Sequence, residues 1–169
     1  MKYNKIRKMD ISNGPGVRVS IFMQGCTFNC RNCFNKDTHD FNGGKDFDNN
    51  TIEKILELCE NDYINVLSIL GGEPLHPFNI DGTTMLVKAF RDKYPDKSIW
   101  IWSGFLFDKD LKDKEILKYI DILVDGQYKD DLYDPGLKYC GSSNQRVIDV
   151  KNSLLEDKIV LYNENLLGV

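Results

Sequence analysis

Three cysteines, Cys26, Cys30 and Cys33, lie in a C-x3-C-x2-C spacing within a stretch of eight residues. A short irregular loop can turn three thiolates toward one metal centre, whereas a strand or a helix would splay them. Iron–sulfur clusters that only carry electrons usually have four cysteine ligands. A four-iron cluster held by these three would leave one iron open, and an open iron binds and polarises a small molecule.

A second candidate site is formed by Gly71, Gly72, Glu73 and Pro74, which follow the apolar residues 66–70. Those residues predict a buried strand. Two glycines at a strand end let backbone approach a ligand that a larger side chain would exclude, and the proline stiffens the exit. Freed carbonyl groups there can accept hydrogen bonds from an ammonium group. Taken alone, the glycines are explained equally well by turn geometry.

The residues before the cysteines extend the first pattern. Together with the segment Gly14-Pro15-Gly16-Val17-Arg18, Phe22 and Gly25, the cysteines complete the sequence G-x-G-x-R-x3-F-x2-G-C-x3-C-x2-C. This sequence resembles the signature of the activases of glycyl-radical enzymes, within the radical S-adenosylmethionine (radical SAM) superfamily. Later segments, such as residues 141–146, resemble the corresponding segments of the activases of anaerobic, class III ribonucleotide reductases. The resemblance covers about residues 9–150.

The resemblance implies one 4Fe-4S cluster with Cys26, Cys30 and Cys33 as its protein ligands. S-adenosyl-L-methionine would bind the fourth iron through its amino and carboxylate groups. One-electron reduction would then release methionine and a 5′-deoxyadenosyl radical. This chemistry needs no side-chain acid or base, so no catalytic residue is predicted beyond the cluster ligands.

The resemblance also implies where S-adenosyl-L-methionine binds. The family's motif at positions 71–74 binds its amino group, and this chain has Glu73 where aspartate is common among reductase activases. Most relatives place an aromatic residue before the third cysteine, but here Asn32 precedes it and Phe34 follows it. Adenine is therefore expected to pack on Phe34 or on backbone around Asn32. The implied cofactor-binding residues are Asn32, Cys33, Phe34, Gly71, Gly72, Glu73 and Pro74.

The implied function is activation of a protein partner, the anaerobic ribonucleoside-triphosphate reductase. The radical would abstract an α-hydrogen from a backbone glycine of that partner and leave a stored glycyl radical. The implied electron donor is a reduced protein of flavodoxin or ferredoxin type. A chain of 169 residues has no spare domain to enclose a small molecule, which suits a macromolecular substrate whose own loop fills the opening.

Two alternatives stay open at the level of sequence. An activase of formate-lyase type is the nearest rival enzyme, although such chains are usually longer. Cys26, Cys30 and Cys33 with His39 also match the ligand set of a structural zinc site, which would make the chain an interaction domain. Structural zinc stabilises small folds that lack a core, whereas this chain predicts enough strands and helices to form one.

Four other residues are given weaker interpretations. Cys59 lies on the apolar face of a predicted helix and is expected in the core. Cys140 precedes Gly-Ser-Ser in a predicted loop and is expected to be a surface thiol. His76 is expected to be a hydrogen-bonded loop residue. Asp125 ends a predicted strand, where its carboxylate would either reach a ribose or a cation or cap the following turn.

Secondary-structure patterns alternate along the chain. Apolar segments predict strands at 17–23, 66–70, 98–102, 121–124, 145–150 and 158–161. Amphipathic spacing predicts helices at 50–63, 83–94 and 110–119. The alternation predicts an α/β fold with a mainly parallel sheet. Since an eight-stranded barrel needs ~250 residues, the expected architecture is a single domain over 1–169, a shortened, open (β/α) partial barrel of the radical SAM type.

Composition sets the remaining limits. The formal charge of −4 argues against a general nucleic-acid binder, and 41% hydrophobic residues without a long apolar run argue against a membrane span. The start of the chain lacks the apolar core of a signal peptide, so a cytoplasmic location is expected. Residues 1–15 are predicted to form an arm. Its basic residues Lys2, Lys5, Arg7 and Lys8 would be either solvated or a docking patch for an acidic partner.

Overall fold

The computed structural model describes residues 1–164 and contains one open seven-stranded sheet. Its strands are β1 Lys2–Asp10, β2 Arg18–Met23, β3 Lys45–Asp46, β4 Val66–Gly71, β5 Ser98–Trp102, β6 Ile122–Asp125 and β7 Arg146–Asp149. Across the sheet they follow the order β3-β1-β2-β4-β5-β6-β7. The α-helices are α1 Asn49–Leu58, α2 Ile80–Lys93 and α3 Val150–Glu156.

The four central strands, β2, β4, β5 and β6, are parallel, and the outer strands β1, β3 and β7 run antiparallel to their neighbours. Because parallel strands are covered on both faces, their sequences are nearly continuous runs of apolar residues. All six residues of β2 are buried. The carboxyl ends of the four parallel strands meet at one edge of the sheet, so the loops that follow them are brought together.

The two faces of the sheet carry different cores. Along β2, Val19, Ile21 and Met23 point to the larger apolar core, which includes residues of α1 and α2. The opposite face carries a smaller cluster of Val66, Trp100 and Ile122. The partly buried residues that pack against this smaller cluster are Trp102, Tyr139, Val147 and Tyr162.

Arg18 explains part of the glycine-rich signature. Its guanidinium is fully buried on the second face, donates to Ser68 Oγ at 2.8 Å and lies 5.1 Å from the Trp100 ring centroid. It also donates to the Pro15 carbonyl, and a Cβ on Gly14 would collide with it. Burial lowers the pKa of Arg18 to about 10, so it stays charged at neutral pH. These signature residues therefore pack a turn against the sheet, at the opposite end of β2 from the cysteines.

The predicted N-terminal arm is wrong, because residues 2–10 form β1. This strand pairs with β2, with Ile6 opposite Ile21, and Tyr3 reaches the main core. Most of the other β1 residues are only partly buried or exposed. A polar outer strand of this kind has the composition of a solvated arm, and only its pairing with β2 distinguishes the two.

The predicted helix at 110–119 is also wrong. The structure has a π-type turn at Phe107–Leu111 and a 3₁₀ turn at Glu115–Lys118. Leu111 and Ile116 are buried, so two short turns satisfy the amphipathic pattern that predicts a helix. The other two predicted helices are confirmed as α1 and α2, but α1 ends at Leu58 and not at residue 63, and α2 begins at Ile80, three residues before the predicted start. None of the helices within residues 1–164 has the length and apolar character needed to cross a membrane.

The segment after α3 returns along β7. The strand predicted at 158–161 forms only a single bridge to β7, and the Tyr162 N–H then donates to the Val147 carbonyl at 2.9 Å. The Tyr162 ring packs on Trp100 with 5.2 Å between ring centroids. Part of the chain outside the family resemblance therefore covers an edge strand and the second face of the sheet.

Tyr162→Ala tests this packing. Loss of the ring contacts with Trp100 and Tyr139 should lower the free energy of unfolding by about 1–3 kcal/mol, measured by anaerobic urea denaturation. Tyr162→Phe is the control and should be at least as stable as the wild type, because the Tyr162 hydroxyl is buried without a hydrogen-bond partner. Equal stability of Tyr162→Ala and the wild type would show that the segment contributes no packing.

Candidate iron–sulfur site

The loops that follow the parallel strands surround a cavity of about 620 Å³ at their carboxyl edge. Cavities of this size accommodate ligands as large as nucleosides or drug-like molecules. The predicted site residues that line it are Cys26, Cys30, Cys33, Phe34, Gly71, Gly72 and Glu73. Asn32 and Pro74, which were also predicted, do not line it. The structure thus brings together the two sequence motifs that suggest chemistry.

The cysteines lie on an irregular loop whose turns depend on asparagine. Asn29 and Asn32 adopt the left-handed backbone conformation, with φ of 49° and 54°, which asparagine tolerates better than most residues. The Cys33 N–H donates to the Cys30 carbonyl at 3.3 Å and closes a turn between two of the thiols. The loop therefore directs all three partly exposed thiols into the cavity.

The surroundings of two of the thiols, Cys26 and Cys33, favour their protonated form. Burial raises the pKa of Cys26 to about 11 and also raises the pKa of Cys33, and neighbouring thiols add to both shifts. A bound metal reverses this, because a coordinating thiol loses its proton. A cluster bound by these thiols would therefore release protons on binding.

Backbone hydrogen bonds tie the cysteine loop to the loop that follows it. The Gly25 N–H donates to the Thr38 carbonyl at 2.8 Å, and the Cys26 N–H donates to the His39 carbonyl at 3.1 Å. His39, the fourth ligand of the zinc alternative, lines the cavity. Gly25 has a φ of 97°, a conformation that side chains with a Cβ rarely adopt.

Close backbone contacts at the end of β4 require Gly71 and Gly72. A Cβ on Gly72 would lie 2.6 Å from the Gly25 carbonyl oxygen. A Cβ on Gly71, whose φ is 107°, would lie 2.8 Å from the Met23 nitrogen. The sequence suggests that the glycines allow a ligand to approach the backbone. It does not reveal that neighbouring backbone also leaves no room for a side chain at these positions. Gly71 thus lets the end of β4 lie close to β2, and Gly72 lets the following turn lie directly against the cysteine loop.

The Glu73 side chain joins two loops of the cavity. Its Oε1 accepts hydrogen bonds from the Leu75 N–H at 2.9 Å and from Ser103 Oγ at 2.8 Å, and its Oε2 accepts from the Gly104 N–H at 2.7 Å. Complete burial raises the pKa of Glu73 to about 7 against the opposing effect of these three bonds. Both carboxylate oxygens are engaged within the protein, so the Glu73 side chain positions the turn after β4 and the loop after β5.

Asn79 is a positioning residue that the sequence analysis misses. Its side-chain amide is buried and donates to the carbonyls of Gln24 and Glu73 at 3.0 Å each. One amide thus links the cysteine loop to the turn after β4. An asparagine before a helix is ordinarily explained as a cap, but Asn79 makes no side-chain cap bond to α2. The sequence therefore carries little signal for this role.

The residues that flank Cys33 contact the segment after β6. Asn32 Nδ2 donates to Asp130 Oδ2 at 2.9 Å. The Phe34 ring lies 5.4 Å from the Tyr128 ring and 6.1 Å from the Tyr133 ring. Phe34 is still 69% exposed and lines the cavity, so most of its ring is accessible to a planar ligand.

Asp125 has a structural role. Its carboxylate is fully buried and accepts from Arg146 Nε at 2.9 Å and Arg146 Nη2 at 2.6 Å, a two-bond pairing of high geometric specificity. The Phe107 N–H also donates to it at 2.8 Å. Asp125 therefore joins β6 to β7 and to the turn after β5, and its carboxylate is committed to these contacts.

The three remaining candidate residues, Cys59, His76 and Cys140, lie in different surroundings. Cys59 is buried in the main core, as predicted. His76 accepts a hydrogen bond from the Phe78 N–H at 3.2 Å, as expected for a loop residue. Cys140 is not the predicted surface thiol. It is half-buried and lines the same cavity as the three cysteines of the loop, because the segment after β6 folds back over the site.

The donor set fits a cluster with three protein ligands. In a four-iron cluster each cysteine binds a different iron, so the three sulfurs need to face one cavity without converging on one ion. Cys26, Cys30 and Cys33 all line one cavity. Within residues 1–164, no three side chains of His, Cys, Asp or Glu are placed to hold a single metal ion.

Comparison with known proteins agrees with this geometry. Residues 12–148 match a family model described as a 4Fe-4S single cluster domain, which defines the class of the protein. The chain is also 38% identical over 147 residues to the anaerobic ribonucleoside-triphosphate reductase-activating protein of Enterobacteria phage T4, covering 87% of this chain and 93% of that protein. The proteins of the same name from Vibrio cholerae serotype O1 and Escherichia coli K12 are 36% and 37% identical, over 86% and 87% of this chain and 96% and 97% of theirs. The chain belongs to the family of anaerobic ribonucleoside-triphosphate reductase-activating proteins.

Gly72→Ala tests the contact between the two loops. The new methyl group would force the Gly25 carbonyl away, so we expect a loss of about 1–3 kcal/mol of stability and a clear drop in iron per chain after anaerobic reconstitution. Gly136→Ala is the matched control, because its Cβ would meet only a side-chain oxygen of Asp134 at 3.1 Å. Full iron content in Gly72→Ala would show that the loops separate without consequence.

Glu73→Gln tests the buried carboxylate. The pKa of Glu73 is about 7 in the folded protein against 4.5 as the ordinary value, so its contribution to stability falls as the pH rises through that window. Glu73→Gln should flatten the pH dependence of the urea midpoint. It should also lower stability, because its amide would oppose the Gly104 N–H. Glu57→Gln, on the exposed face of α1, is the control. Identical pH slopes in Glu73→Gln and the wild type would refute the raised pKa of Glu73.

Proposed function

We propose that this protein generates a glycyl radical on the anaerobic ribonucleoside-triphosphate reductase, using one 4Fe-4S cluster and S-adenosyl-L-methionine. The observation that carries the proposal is the single cavity shared by Cys26, Cys30, Cys33 and the turn of Gly71 and Gly72. The relatives are named as activating proteins of that reductase. Their names favour the reductase as the protein partner over an enzyme of formate-lyase type.

In this proposal Cys26, Cys30 and Cys33 would hold three irons of the cluster, and the fourth iron would have no protein ligand. The bound cluster supplies one electron, which splits S-adenosyl-L-methionine into methionine and a 5′-deoxyadenosyl radical that takes a hydrogen atom from the partner's glycine. The electron comes from a reduced flavodoxin or ferredoxin type of protein. The protein's own task is to hold the reactants together and to exclude water.

The residues around the cluster divide that task. Backbone at Gly71 and Gly72 receives the amino group of S-adenosyl-L-methionine, and the exposed Phe34 ring receives adenine. The Glu73 carboxylate keeps the turn after β4 in place through Ser103 and the Gly104 N–H. This arrangement explains why a buried carboxylate stands beside the site without acting as an acid or base.

The fold type and the cellular compartment are also part of the proposed function. We regard the sheet as the shortened, open partial barrel of the radical SAM type, formed by a single domain. The parallel order of β2, β4, β5 and β6 and the position of the cavity at their carboxyl ends support this view. The free state of all five cysteines suits a reducing compartment such as the cytoplasm.

Single serine substitutions test the cluster ligands. Cys26→Ser, Cys30→Ser and Cys33→Ser should each lose most of the iron and the brown colour after anaerobic reconstitution, because each thiolate binds its own iron. Cys59→Ser and Cys140→Ser are the controls and should keep both. Retention of the cluster in Cys33→Ser together with its loss in Cys140→Ser would reassign the ligand set.

The proposed activity is tested with the reconstituted protein, S-adenosyl-L-methionine, dithionite and a purified class III reductase under anaerobic conditions. We expect the electron spin resonance doublet of a glycyl radical. Deuterium at the α-carbon of the partner's glycines should appear in 5′-deoxyadenosine. A colourless zinc protein, or rapid cleavage with a small metabolite and no radical on the reductase, would overturn the proposal.

A further inference from the structure

Strand β1 has a free outer edge over most of its length. β3 pairs only with Lys2 and Tyr3. In the part of the chain that the structure describes, no other strand lies on this side of β1. The backbone groups of residues 4–10 that point away from β2 therefore have no strand partner. A free edge of this length is a template for an added strand.

A hollow of about 130 Å³ opens beside this edge, between β1 and α1. Tyr3, Ile6 and Leu58 give it an apolar surface. Its other lining residues are Lys5, Lys8, Lys45 and Lys54. None of the lining residues is acidic, so the hollow combines side-chain contact area with a purely positive border.

The four lysines of the hollow are not neutralised by ion pairs. The salt bridges within residues 1–164 include Lys2 with Asp46 at 3.3 Å but none of these four. The whole chain carries a formal charge of −4, so the hollow is a local reversal of sign. Such a patch attracts a negatively charged partner and raises the rate of its association.

β1 also borders the cavity of the iron–sulfur site. Arg7 and Phe22 line that cavity. The Lys5 ammonium and the Arg7 guanidinium lie 4.8 and 4.9 Å from the Phe22 ring centroid. Further along the strand and the following turn, Met9 and Ile11 are 67% and 76% exposed. A protein that places a loop in the cavity therefore meets the edge of β1 as well.

We infer that the β1 edge is a docking site for an extended acidic segment of the reductase. The segment adds as a strand beside residues 4–10 and places its carboxylates against the four lysines of the hollow. This inference rests on the proposed function, because it takes the reductase as the protein whose loop fills the cavity. Backbone hydrogen bonds supply affinity, and the lysines select for negative charge. The competing explanation is that the lysines only prevent edge-to-edge aggregation.

The double variant Lys8→Glu/Lys54→Glu cancels the formal charge of the four lysines of the hollow, with one change on the strand and one on the helix. Its matched control is Lys114→Glu/Lys118→Glu, which changes the same charge at exposed lysines near the 3₁₀ turn. Anaerobic calorimetry with purified class III reductase should show binding weakened by about tenfold or more in the first variant, with a shallower salt dependence. The control should bind like the wild type, and both should keep full iron content and affinity for S-adenosyl-L-methionine.

Hydrogen exchange of the wild-type protein gives a second readout that needs no variant. Amides of residues 4–10 should exchange more slowly when the reductase is bound. Unchanged exchange there, or wild-type affinity in the double variant, would overturn the inference, and so would a dimer of the activase alone that forms through this edge. If the wild type forms neither complex nor glycyl radical, the proposed function fails and the inference with it. If the radical forms and the edge readouts do not change, only the inference fails.

Discussion

The site depends on one backbone contact, between the Gly25 carbonyl and the turn after β4. That carbonyl accepts the Glu73 N–H at 2.8 Å and lies where a Cβ on Gly72 would collide with it. Because it immediately precedes Cys26, the contact sets the position of the first thiol. The cysteine loop and the glycine turn are therefore one structural unit, although each also has features that suit a ligand.

Polar groups, rather than apolar packing, hold this unit to its neighbours. A buried carboxylate or amide without partners costs several kcal/mol in a protein interior, roughly as much as a large core truncation. Glu73 and Asn79 avoid that cost because each is satisfied by donors or carbonyls from separate loops. Each therefore fixes the relative position of the loops it joins. Asp125 does the same at the end of β6 by engaging Arg146 and the turn at Phe107.

The outer elements decide how open the site remains. The segment after β6 covers one side, where Tyr128 and Tyr133 pack on Phe34 of the cysteine loop, and Cys140 of the same segment lines the cavity. On the other side β1 contributes Arg7 and ends in exposed apolar residues. Under the proposed function, an adenosyl radical formed in an open cavity would be quenched by its surroundings, which favours a partner that completes the wall.

The sequence by itself determined the features that depend on near neighbours. Three cysteines within one short loop must share a site, and the apolar runs of β2, β4, β5 and β6 must be buried, whatever the rest of the chain does. Only the tertiary structure decided that residues 2–10 form a strand. A polar edge strand and a solvated arm have the same composition, and only pairing with β2 distinguishes them. The same holds for Asn79, whose partner Gln24 lies 55 positions away. It also holds for Gly71 and Gly72, whose closest neighbours lie in β2 and in the cysteine loop. Residues far apart in the chain leave no periodic signal, because their contacts exist only after the parallel strands have brought their loops to one edge.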